Sequence, residues 1–79
     1  IIAEMLKASE RDVGKTEILY SANMRYYQLQ KYLGLLLDGG FIDQLTMENS
    51  HFNYRVTEKG SKLLKSIDTI LEALGFENK

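Results

Sequence analysis

Seventy-nine residues with no cysteine, one histidine and ten basic against eleven acidic side chains leave room for a single small domain of net charge −1. They exclude disulfides, thiolate metal sites, thiol nucleophiles and multi-histidine zinc sites. Folding would bury only roughly 63% of the unfolded chain's surface, so a partner subunit is the expected source of extra stability.

The apolar run Leu33–Leu37 is interrupted by Gly34 and is far too short to cross a bilayer. No signal peptide is legible, and a start at Ile1 rather than Met leaves room for a removed N-terminal piece. From Ile1 to about Ala8, Ile2, Met5 and Leu6 share one helical face, and Val13 is suited to a short bridge strand. A second short helix is expected from Thr16 to about Ala22, followed by a turn at Asn23-Met24. The third runs from about Tyr26 to Asp38, where Leu29, Leu33, Leu36 and Leu37 form an amphipathic stripe. Gly39-Gly40 ends it, because glycine accepts the left-handed conformation of a helix C-terminus.

The period then changes. Phe41–Met47 reads as a strand, Glu48–His51 as a polar tip, and Phe52–Val56 alternates apolar with polar. Thr57 is a fitting N-cap for a last helix from Glu58 to about Leu74. The fold class is therefore mainly α with a β-hairpin wing (α+β). Residues 1–57 would form a winged helix-turn-helix domain, and residues 58–79 a C-terminal dimerisation helix.

With the leucines facing inward, Tyr27, Lys31, Gly34 and Asp38 point away from the core, with Gln28 and Gln30 on the flanks. Tyr27, Gln28 and Lys31 would meet base edges or phosphates in a DNA major groove, which admits a helix. Any solvated helix face also carries such residues. Lys15 and Thr16 at the start of the second helix, Arg25 before the third and Arg55 on the wing lean, as a set, towards phosphate. Lys59 and Lys62 on the last helix add to it, while Glu17, Asp43 and Glu48 in the same regions oppose it. Asn49 and His51 at the wing tip would touch the backbone or minor groove, although a solvated histidine suits the same position.

Other chemistry is poorly supported. Gly14-Lys15-Thr16 matches the end of a P-loop, but Ser9 stands where that motif needs glycine. The acids are scattered and His51 has no legible partner, so no active site, metal or other cofactor is expected. Tyr20, Tyr26, Tyr32 and Tyr54 fall where half-buried packing is usual, and only Tyr27 points clearly outward. On the last helix Leu63, Ile67, Ile70 and Leu74 recur at coiled-coil spacing and Leu64 and Leu71 widen the stripe, which suggests a homodimer through this face.

The run from Lys15 to Tyr26 resembles the helix-turn-helix of a family of small archaeal winged-helix DNA-binding proteins, in which K-T-x-[ILM]-[ML]-Y-x-A-N-[LM]-x-Y recurs. The resemblance continues through Leu29, Tyr32, Leu33, Leu36 and Gly40-Phe41-Ile42. It ends on Tyr54-Arg55-Val56-Thr57-Glu58-Lys59-Gly60, similar to the family's Y-x-[VIL]-T-x-K-G. It implies a dimeric protein that binds double-stranded DNA in a transcriptional or chromatin-type role, in the cytoplasm on the nucleoid. It also implies pairing through the C-terminal helix. Arg25 departs from the family's usual Ser N-cap, which removes a cap and adds a charge, and the short last helix favours a compact dimer over a long rod. The near-zero net charge supports the competing reading, a winged helix that binds protein and no nucleic acid.

Overall fold

The structure is a computed structural model and describes residues 1–75, so residues 76–79 of the expected dimerisation segment lie outside the described residues. In chain order it comprises α1 (Ile2–Ala8), α2 (Lys15–Ser21), α3 (Tyr26–Asp38), β1 (Ile42–Thr46), β2 (Phe52–Val56) and α4 (Glu58–Ala73). This is an α+β fold with an antiparallel hairpin between α3 and α4. In the hairpin register Ile42 faces Val56, Gln44 faces Tyr54 and Thr46 faces Phe52.

The sequence boundaries shift where caps intervene. Gly14 takes an extended conformation as N-cap, so α2 begins at Lys15 rather than Thr16, and Ala22 becomes its C-cap. β1 is shorter than the expected Phe41–Met47, because the Met47 N–H already bonds the His51 carbonyl at 2.7 Å and closes the turn. The tip is a single tight turn over Glu48–Ser50, with Asn49 at φ 62°.

Helices α2 and α3 end alike. After α2 the Met24 N–H reaches the Leu19 carbonyl (3.2 Å) and Asn23 adopts φ 51°. After α3 the Phe41 N–H reaches the Leu36 carbonyl (2.8 Å) and Gly40 adopts φ 78°. Both are six-to-one closures that satisfy orphan carbonyls, and each places one residue in the left-handed region. Glycine and asparagine are the two residues that occupy it most readily.

Met5, Leu6, Ile18, Leu29, Ile42 and Tyr54 are fully buried, so every element except α4 contributes a fully enclosed side chain. From α4, Leu64 is buried and Leu63 packs against the same cluster. The linker after α1 joins the hairpin edge. Val13 and Tyr54 exchange backbone bonds of 3.2 and 2.7 Å, and the Val56 N–H bonds the Ser9 carbonyl at 2.8 Å. The bridge expected at Val13 is thus present.

Thr57 fastens α4 to the start of the hairpin. Its hydroxyl accepts the Gly60 N–H at 3.0 Å, as an N-cap should, and donates to the Gly40 carbonyl at 2.6 Å. Thr57→Ala removes both bonds, so an N-cap loss of about 1–2 kcal/mol is expected. In a domain this small that lowers the melting temperature by roughly 4–8 °C per kcal/mol, measured by circular dichroism; an unchanged melt would refute the role.

Candidate nucleic-acid interface

Helix α3 buries one side and exposes the other. Leu29, Leu33 and Leu36 are buried, while Tyr27, Lys31 and Asp38 on the opposite side are exposed. Arg25 occupies the N-cap position, and a guanidinium has no acceptor with which to cap a helix. The cap is supplied in reverse. Gln28 Oε1 accepts the Arg25 N–H at 3.0 Å, so half of the Gln28 amide is already engaged and its NH₂ is the part left to read a base. The Arg25 side chain itself is exposed.

Tyr20 and Tyr26 are not half-buried as their positions suggested: they are 78% and 57% exposed, beside Tyr27 at 65%. Tyr20 lies at the end of a two-turn helix and Tyr26 opens α3, so neither has a neighbouring turn to cover it. The Tyr26 hydroxyl is instead held by Gln30 Nε2 at 3.2 Å.

The cations fall into two groups. Arg11 pairs with Glu17 (3.5 Å), Lys62 with Glu58 (3.8 Å) and Arg55 with Asp12. Lys59 donates to the Gly39 carbonyl at 2.7 Å and covers the Phe41 ring, so it serves the end of α3 rather than an external anion. Lys15, Arg25 and Lys31 form no ion pair among the described residues, and neither do Lys7 on α1 and Lys65 on α4. Lys15 is the first residue of α2 and Arg25 caps α3, so both charges oppose the positive end of a helix dipole. Local stability favours the opposite sign at both positions.

An open cleft of about 380 Å³ lies between the start of α2 and the wing. Gly14, Lys15 and Thr16 line one side, and His51, Phe52, Asn53 and Tyr54 the other. The predicted residues Lys15 and Thr16 therefore meet His51, about 35 positions away in the chain, at one place. Asn49 stands at the exposed tip next to it.

Arg55 is placed differently from the rest. Its Nε and Nη2 hold the two carboxylate oxygens of Asp12 at 2.8 and 3.1 Å. The guanidinium hydrogen bond keeps the Asp12 carboxyl below its ordinary range, so the pair persists at neutral pH and is lost only in acid, as pH falls through that lowered value. Asp12 was not singled out in the sequence, although the Val13–Tyr54 bridge sets Asp12 directly across from Arg55. Phe52 and Asn53 were also missed, and the strand alternation alone did not distinguish the face that meets α2.

On α4, Leu64 is enclosed by the core and Leu63 is half-covered, which leaves Ile67, Ile70, Leu71 and Leu74 as the apolar surface. Ile70 is 57% and Leu74 65% exposed. Among the described residues no helix is long and apolar enough to cross a membrane, and no three His, Asp or Glu side chains are placed to hold a metal ion.

A family model described as winged helix-turn-helix matches residues 1–74. Two uncharacterized proteins of Methanocaldococcus jannaschii are similar to this chain. One is 35% identical over 75 residues, which cover 94% of this chain and 33% of that protein. The other is 32% identical over 60 residues, 76% of this chain and 57% of that protein. The chain thus spans about a third of the first relative and just over half of the second.

Proposed function

Because this chain belongs to the winged helix-turn-helix family, we propose that it binds double-stranded DNA, as a regulator or chromatin-type protein, with α3 in the major groove. The observation that carries the reading is the placement of Lys15 and Arg25: each cation opposes a helix dipole, has no ion-pair partner among the described residues, and opens one of the two helices of the helix-turn-helix. A charge that local stability disfavours is explained by an external anion, and a nucleic-acid phosphate supplies one.

In this reading Lys15 and Thr16 hold phosphate at the cleft, with Asn49 and His51 reaching the backbone or minor groove. Tyr27, the Gln28 NH₂ and Lys31 face the groove floor. Arg55 joins them only by exchanging Asp12 for a phosphate. The test is fluorescence anisotropy of a labelled random-sequence duplex at two salt concentrations. Affinity should fall steeply with salt, by about 0.9 in the log–log slope for each phosphate neutralised. Absence of binding at low salt would overturn the reading and favour a protein-binding module.

The same reading makes the molecule a homodimer through Ile67, Ile70, Leu71 and Leu74, with residues 58–79 as the pairing segment. Light scattering should give twice the chain mass. Replacing exposed Ile70 and Leu74 together by serine should yield a folded monomer, because neither side chain is part of the core. A monomeric parent protein would contradict the pairing.

A further inference from the structure

Gly34 stands inside α3, where glycine is less stable than alanine because it leaves the backbone freer in the unfolded chain. Nothing among the described residues accounts for it. A Cβ built there meets no atom within 4 Å, whereas at Gly39 it would strike the Phe41 ring and at Gly60 the Phe41 carbonyl oxygen. The space that Gly34 leaves lies on the side of α3 away from the buried leucines, between Lys31 one turn before and Asp38 one turn after. Leu35 next to it is 57% exposed, which alone is unremarkable for a surface leucine. The bare backbone at Gly34 is thus an uncharged notch between Lys31 and Asp38, flanked by Leu35 about 100° further round the helix, on a helix whose start is polar and cationic at Arg25, Gln28 and Lys31.

We propose that this notch is a base-reading position that takes the 5-methyl group of thymine in the major groove, with Gly34 admitting the methyl and Leu35 packing beside it. The inference rests on the DNA reading above and specifies what α3 reads there. Gly34 and Leu35 themselves offer no free donor or acceptor, because the helix backbone is hydrogen-bonded internally, so what they touch is not a polar base edge. Thymine's methyl is the apolar group that the four bases present in that groove. The unpaired cations Arg25 and Lys31 supply the charge complementarity that holds this face against duplex DNA.

The test compares two duplex pools, A·T-rich and identical except that one carries uracil in place of thymine. The parent protein should bind the thymine pool more tightly, by about fourfold for each methyl buried. Gly34→Ala fills the notch with its own methyl. It should raise the melting temperature by about 5 °C, weaken binding to the thymine pool and leave binding to the uracil pool intact. Leu35→Ala should also reduce the thymine preference. Equal binding of both pools by the parent would overturn the methyl contact while DNA binding stands. Binding to neither pool at low salt would overturn the DNA reading, and this inference with it.

Discussion

Gly60→Ala should be the most damaging single substitution in the chain, at roughly 3 kcal/mol or more. A Cβ at Gly60 would press into the Phe41 carbonyl oxygen and lie 2.7 Å from Val56 Cγ2. The valine can rotate, but the carbonyl cannot. It belongs to the backbone and already accepts the Thr57 N–H at 3.0 Å, so moving it loosens the cap of α4 and the start of β1 together. A domain of this length has on the order of 4–12 kcal/mol in total, and the variant should therefore be partly unfolded at 37 °C. Urea denaturation followed by circular dichroism measures the effect. A midpoint within the error of the parent's would show that α4 does not sit so tightly against the hairpin. The contrast with Gly34→Ala is informative, since the same change of residue should stabilise one site and disrupt the other.

The second large effect concerns binding. Replacing Lys15, Arg25 and Lys31 together by alanine should flatten the log–log salt slope by about 2.7 for each protomer engaged, and weaken binding a hundredfold or more at moderate salt. The fold should be unaffected. None of the three forms an ion pair among the described residues, and removing cations from two helix N-termini relieves an unfavourable charge–dipole contact. Unchanged affinity with an unchanged melt would remove these residues from the interface. The companion triple Lys7, Lys62 and Lys65 to alanine controls for net charge and should leave the slope nearly as it is.

Much of this architecture was legible because it is written in local patterns. The spacing of Leu29, Leu33 and Leu36 fixes the buried side of α3, and Gly39-Gly40 marks its end to the residue. The alternation in Phe52–Val56 and the cap at Thr57 are similarly local. What resisted reading is non-local or depends on competition between equal candidates. Gly60 carries no local signal of its tight packing, because the backbone it touches lies at Phe41. Arg55 looked free, since its partner Asp12 is 43 residues away. Leu64 and Ile70 carry the same apolar signal on α4, and periodicity cannot say which meets its own core and which is left outside. Gln28 illustrates the last difficulty: the side chain suited to reading a base is also suited to capping the helix that carries it. Tyr20 and Tyr26 failed for a simpler reason: one lies at the end of α2 and the other opens α3, so no neighbouring turn covers either ring.

The most direct test of the central claim is a titration of the ¹⁵N-labelled protein with a short duplex, followed by amide NMR. The expected shifts fall on Lys15-Thr16, on Arg25 to Leu35 and on the wing from Asn49 to Asn53, with the outer face of α4 unmoved. Shifts confined to α4, or none at protein and duplex concentrations well above a non-specific dissociation constant, would contradict the assignment of α3, the α2 start and the wing as a DNA-binding surface.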